Sequence, residues 1–187
     1  MKSAWASKDY ALLLLLATLW STSFAFIKVG VDSVGPMTLT SARLGIAMVL
    51  LYAWIRFRGY RLPRDGRSWM MFGLIGLIGN ALPFTLISWG ELYIDSGLAA
   101  ILMGIMPVTT ALLAHIFIRE EPFDLRIGLG IGMGFGSVAL LLGPAAVGGL
   151  SGPVLGQSAI LLSAVCYGVS ATLIRYAARP SNWSVLA

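Results

Sequence analysis

The sequence predicts an all-α polytopic membrane protein, and three observations carry that prediction. Of the 187 residues, 58% are hydrophobic and only 11% are charged, against about 45–50% and about 25% in an ordinary soluble domain. The apolar residues gather into stretches close to the ~20 residues that cross a ~30 Å hydrocarbon core. The basic residues, finally, fall on one side of those stretches. A chain so apolar has too little polar surface to cover a core in water, which excludes a soluble enzyme and a disordered linker. The pI of 9.7 does not point to nucleic acid, because no basic helix or aromatic–basic strand pattern accompanies it. A single cysteine, Cys166, excludes an intrachain disulfide framework and any Cys-rich zinc or iron–sulfur site.

Six spans follow in order: Tyr10–Val31, Thr38–Ile55, Trp69–Gly90, Gly97–Phe117, Ile127–Leu142 and Leu155–Tyr176. They are separated where polar residues, glycine or proline let the chain leave lipid, at Asp32–Pro36, Arg56–Arg67, Glu91–Ser96, Arg119–Arg126 and Gly143–Pro153. The first span opens like a signal peptide, with Lys2 and Lys8 ahead of the run Ala11 to Ala17. Its apolar stretch continues well beyond that run and no Ala-x-Ala site follows, so an uncleaved anchor is expected. The fifth span is the shortest and is rich in glycine. Residues 178–187 are expected to form a cytoplasmic tail.

Charge sets the orientation. With the N-terminus inside, the inner segments hold Lys2, Lys8, Arg56, Arg58, Arg61, Arg64, Arg67, Arg119, Arg126, Arg175 and Arg179. Lys28 and Arg43 lie within spans, and the outer loops carry Asp32, Glu91 and Asp95 but no basic residue. The positive-inside rule therefore predicts a cytoplasmic N-terminus.

The chain also repeats itself. An offset of 147 residues lays Leu14, Leu15, Ala17, Ser23 and Ile27 on Leu161, Leu162, Ala164, Ser170 and Ile174, with Trp20 on Tyr167 and Lys28 on Arg175. Five spans separate the paired helices, so the two cross the membrane in opposite directions, the relation found in inverted-repeat transporters.

These residues resemble the EamA-type members of the drug/metabolite transporter superfamily. Gly97 to His115, small residues first and Pro107 midway, looks like that family's fourth helix. Glu121-Pro122 with Gly128 to Gly136 looks like its acidic inner loop and glycine-rich fifth helix. Trp20-Ser21-Thr22-Ser23-Phe24 with Lys28 resembles its first helix, and Arg43 matches a basic residue often seen in its second. The resemblance covers about residues 10–176. It implies ten helices in two inverted five-helix repeats, of which residues 10–143 supply the first repeat and 155–177 the first helix of the second. The chain departs from that pattern in stopping there. It is therefore expected to be the N-terminal part of a longer transporter that lacks its second repeat, since a uniform charge bias disfavours pairing with an oppositely inserted copy. The resemblance further implies alternating-access transport of a small metabolite or drug, an amino acid among them, by efflux more than uptake, in a bacterial inner membrane. The competing reading is a non-transporting membrane remnant or a helical assembly partner.

Six residues are candidates for substrate binding: Trp20, Ser23, Phe24, Arg43, Asn80 and Phe84. Trp20, Ser23, Phe24 and Ile27 share one helical face at i, i+3, i+4 and i+7, either as packing or as the aromatic and hydroxyl wall of a cavity. In that second case Ser23 and Ser170 would hydrogen-bond substrate or an opposing helix. Arg43 lies about six residues inside its span, roughly 10 Å deep, where a guanidinium needs protein, water or a carboxylate. It either pairs with Asp32, Glu91 or Asp95 or receives an anionic substrate group, for which its fork is suited. Lys28 is nearer the surface and able to snorkel. Asn80 sits beside Pro83 behind Gly73, Gly76 and Gly79, as interhelical glue or as a cavity group, with Phe84 at i+4. Pro83 and Pro107 are candidate kinks.

The remaining motifs carry no chemistry. Gly128 to Gly136 contains Gly-x-Gly patterns, but no strand precedes them and no acidic residue follows about 20 positions on, so they do not bind a dinucleotide. Gly128, Gly132 and Gly136 read instead as helix packing. Ser151 in Gly149-Leu150-Ser151-Gly152 and His115 lie at opposite faces of the bilayer, which defeats a serine hydrolase, because a base must reach its proton within about 3 Å. No Asp or Glu lies near the middle of a span, so any ion coupling must use edge groups such as Glu91 or His115. No cofactor and no metal are expected. The expected partners are the lipid bilayer, a small-molecule substrate, and the second repeat or a partner chain, with no nucleic acid.

Overall fold

A computed structural model of the chain describes residues 7–117, 125, 128–130, 132, 133, 136 and 154–177. Among these residues run α1 (Ser7–Val34), α2 (Pro36–Phe57), α3 (Gly66–Gly76), the π turn Leu77–Ala81, α4 (Leu82–Gly90), α5 (Ser96–Met103), α6 (Met106–Phe117) and α7 (Val154–Ala177), and residues 125, 128–130, 132, 133 and 136 are helical as well. No strand occurs among the described residues. Five helical stretches are long and apolar enough to span a bilayer: 8–34, 36–57, 66–90, 96–117 and 154–175. They coincide with five of the six predicted spans, and the chain is a multi-pass membrane protein. The fifth predicted span, 127–142, lies largely outside the described residues.

The ends of the elements follow from local chemistry. Only Gly35 separates α1 from α2; its φ of 76° with ψ of 159° is a backbone region essentially reserved for glycine, costing a side-chain-bearing residue on the order of 1–3 kcal/mol. Pro36 then starts α2, where its missing N–H would have had no partner in any case. Gly59, at φ 74°, closes α2: its N–H donates to the Arg56 carbonyl and that of Tyr60 to the Ile55 carbonyl, the paired bonds of a Schellman ending. Asp65 caps α3 by accepting from the Ser68 N–H at 2.8 Å, and hydrogen bonding from Ser68, through its side chain first and its backbone second, holds the carboxyl below the usual carboxylate range.

Proline shapes the next two spans. Pro83 has no N–H for the carbonyl four residues back, and the preceding turn widens to π, the Leu82 N–H donating to the Leu77 carbonyl. The span is thus one helix with a bulge at Asn80. Pro107 breaks its span outright: α5 stops at Met103 and α6 restarts at Met106, joined through Gly104 and Ile105.

Packing is concentrated on one side of the bundle. Ile27, Ile87, Ile94, Leu98, Ala99 and Ile160 form the buried core, with Phe24, Leu39, Met103 and Tyr167 against it. Helix α7 runs antiparallel to α4, bringing Gly156 against Gly90 at one end and Ser170 against Gly79 at the other. It also meets α6, where Gly168 faces Thr109 and the Thr109 hydroxyl donates to the Ala164 carbonyl at 3.3 Å. In contrast, α1 and α2 leave large side chains outward, among them Leu14, Phe26, Met48 and Leu50. In water so extensive an apolar surface would drive aggregation, whereas in a bilayer it faces acyl chains.

Candidate functional site

The helices line a cavity of about 240 Å³, and all six residues singled out from the sequence lie on its wall. Helix α1 supplies Trp20, Ser23, Phe24 and Ile27 from one face, the face their spacing predicts. Arg43 enters from α2, Asn80 from the π turn, Phe84 and Ile87 from α4, Met103 and Met106 from either side of the break before Pro107, and Tyr167 from α7. Asn80 thus lines the cavity from within the bulge.

Arg43 is the charged group in this wall. Its Nη2 donates to the Ser23 hydroxyl at 3.1 Å, and its guanidinium carbon lies 4.7 Å from the centre of the Phe84 ring. Phe84 meets Tyr167 edge to face, with ring centres 6.4 Å apart at 60°. The guanidinium is therefore held on one side by a hydroxyl and on the other by the negative face of a π system. Its Nη1 is buried without an acceptor. Leaving a charged donor unsatisfied costs more than the ~1–3 kcal/mol of a neutral one. Among the described residues the contacts of Arg43 are thus a hydroxyl and a ring, not any of the three carboxylates that could have paired with it.

The Lys28 ammonium donates to the carbonyl oxygens of Glu91 and Ile94 in the outer turn, the latter at 3.3 Å. Glu91 itself is 0% exposed, and both carboxylate oxygens lack a hydrogen-bond partner. Burial pushes this carboxyl up to about 7, the charges of Lys28 and Arg43 pulling it the other way. Ser170 lies off the cavity, packed on Gly79. No group of three or more metal-ligating side chains occurs among the described residues.

Besides Ile27, which the helical spacing already put on the α1 face, four wall residues were not among the binding candidates: Ile87, Met103, Met106 and Tyr167. Two had a signal. Tyr167 is the residue the internal repeat lays on Trp20, and Ile87 stands three residues after Phe84 on the same face. The two methionines flank a break that proline predicts only in outline. A second cavity of about 300 Å³ lies between α6 and α7, lined by Leu113, Phe117, Val169, Thr172 and Leu173. The Thr172 hydroxyl there donates to the Gly168 carbonyl, which leaves its oxygen only as an acceptor.

Residues 8–143 match the family described as EamA-like transporter family. The chain belongs to that family. Among curated EamA relatives, it is 35% identical over 120 residues to the "Probable terminal-alkyne amino-acid exporter" of Streptantibioticus cattleyicolor, covering 64% of this chain and 38% of that protein. It is 31% identical over 133 residues to the "S-adenosylmethionine/S-adenosylhomocysteine transporter" of Chlamydia muridarum, covering 70% and 40%. Over 160 residues it is 28% identical to the "Uncharacterized inner membrane transporter YedA" of Escherichia coli K12, covering 84% and 50%. The chain thus spans half or less of the length of these relatives. No solved structure matches it.

Proposed function

We propose that this chain builds the substrate-binding side of a secondary carrier that moves a small, carboxylate-bearing metabolite across the bacterial inner membrane by alternating access. The observation that carries the proposal is Arg43, with one nitrogen on Ser23 and the other buried and unmet beside a cavity walled by Trp20, Phe24, Phe84 and Tyr167. A carboxylate on that free nitrogen would form a charge-assisted bond, and the rings would take the apolar part of the ligand. Two relatives are named for an amino-acid exporter and for a transporter of S-adenosylmethionine and S-adenosylhomocysteine. Those molecules share an α-amino carboxylate, which supports an amino acid or amino-acid conjugate as the substrate class. The word exporter in the first name favours efflux.

The domain plan proposed with it has residues 10–143 as one five-helix repeat and 155–177 as the first helix of an inverted second repeat, supplied by further sequence or by a partner chain. The antiparallel seat of α7 on α4 supports that plan, because it starts α7 at the mouth holding the 90–95 turn. The competing reading is a non-transporting helical partner. Counterflow of radiolabelled amino acids in proteoliposomes separates the two. Accumulation is expected for the wild type, with loss in Arg43→Gln at equal membrane insertion. Equal counterflow in both would remove Arg43 from the site, and none for any amino acid would favour the partner reading.

A further inference from the structure

We propose that Glu91 is a proton-binding site that latches the mouth of the cavity remote from the arginine-rich 56–67 loop: protonated, it keeps the mouth packed shut, and ionised, it lets the mouth open. The latch rests on the reading of the cavity as a carrier's, but its parts are structural. Glu91 ends α4 and starts the turn to α5, one helical turn beyond Ile87 in the cavity wall. It is 0% exposed, and neither carboxylate oxygen has a hydrogen-bond partner. A lone buried carboxylate is costly, whereas its neutral acid form is tolerated. The packed arrangement is therefore the one that suits a bound proton.

The surroundings determine what happens on ionisation. From α1, Lys28 faces the turn, its ammonium spent on the backbone carbonyls of Glu91 and Ile94; Asp32, one turn further on, is exposed. From α2, Arg43 acts on Glu91 through its charge. Asp95 at the start of α5 is exposed. The α7 end seated on the turn presents Gly156 and Ile160, and no titratable side chain occurs among its first twelve residues. A carboxylate formed here has two routes to stabilisation, water and the Lys28 ammonium. Both require the 91–95 turn to lift from α1 and α7, which opens the mouth.

Linkage sets the expected size. With the carboxyl held near 7 when shut and at its ordinary 4.5 when open, the open fraction climbs about tenfold per pH unit between those values and levels off above. The experiment is hydrogen–deuterium exchange of the 90–96 segment in the wild-type protein in nanodiscs, corrected for intrinsic exchange, with the pH of the buffer as the only variable. Exchange in the wild type is expected to rise with this slope and plateau near 7, while Glu91→Gln, which mimics the bound proton, stays protected and flat. Should the glutamine variant not fold, Glu91→Asp must retain the slope, and infrared spectra of the wild type must show a carboxyl C=O band that vanishes with a midpoint near 7. Flat exchange in the wild type, or the same slope in Glu91→Gln, would overturn the latch. None of these measurements uses substrate, so the latch stands or falls by them even where the carrier assignment fails.

Discussion

Replacing Gly156 by alanine puts the docking of α7 to a quantitative test. A Cβ at this position would stand 2.9 Å from the Tyr93 Cβ, 3.0 Å from the Gly90 carbonyl oxygen and 3.3 Å from the Ile94 Cγ2. The first two atoms are tied directly to backbone, so no rotamer change removes the clash, and the helix must shift. Overpacking of this kind costs about 1–3 kcal/mol, while alanine returns up to about 1 kcal/mol through its helix propensity. The net expectation is a loss of roughly 1–2 kcal/mol. Gly45 in α2 supplies the control: no described atom lies within 4 Å of its added Cβ, so Gly45→Ala should keep the propensity gain of about 0.5–1 kcal/mol. The two substitutions, chemically identical, should therefore differ in sign and by about 2 kcal/mol. Reversible unfolding in mixed micelles, followed by circular dichroism, measures both. A stabilised Gly156→Ala, or equal shifts in the two variants, would refute this seat for α7.

Three further outcomes are expected. In ligand binding, Arg43→Gln should weaken an amino acid by about 10–150-fold, the equivalent of a charge-assisted bond of roughly 1.5–3 kcal/mol, yet barely affect the corresponding amide; calorimetry with both ligands reads the difference. Glu91 binds its proton more tightly in the folded chain, so its cost is absent below 4.5, grows as pH rises towards about 7 and is complete above that value. The stability of Glu91→Gln relative to wild type should accordingly improve by about 3 kcal/mol between about pH 4 and about pH 8, seen in unfolding titrations at the two values. Gly35→Val should destabilise the chain by about 1–3 kcal/mol or more, because a β-branched residue is forced to a φ of 76°; an unchanged midpoint would show that the α1–α2 turn takes another form.

Much of this arrangement could be read from residues alone, and the boundary between what could and what could not has a physical cause. Helical periodicity is a property of one segment, so the wall formed by Trp20, Ser23, Phe24 and Ile27 was legible without knowing its neighbours. The bilayer's length requirement likewise placed α1, α2 and α7 to within a few residues. Whatever depends on two segments meeting was open. Arg43 had three nearby carboxylates as candidate partners, and hydrophobicity does not rank them against a hydroxyl and a ring. Lys28 reads as close enough to the surface to snorkel, and the acceptors its ammonium meets in the outer turn are backbone carbonyls, which every sequence possesses and none advertises. Proline announced both irregularities but not their kind: beside Pro83 the helix absorbs the lost bond by widening, and before Pro107 it separates.

The site and the mouth are connected through α4. Phe84, Ile87 and Glu91 recur at i, i+3 and i+7, which sets them along one face of a helix only nine residues long. At its start lies the π turn with Asn80, and at its end the 91–95 turn held by Lys28. A ligand that pushes on the Phe84 ring therefore bears on the same short rod that carries Glu91, and the rod's other support, the bulge, is where backbone bonding is already irregular. Arg43 adds an electrostatic link, since its charge lowers the proton affinity of Glu91. A substrate carboxylate on Arg43 offsets that charge and so favours protonated Glu91. By reciprocity, protonation favours the substrate. If both proposals hold, occupancy of the cavity and closure of its mouth are coupled with a definite sign, and the bound state is expected to be the shut one.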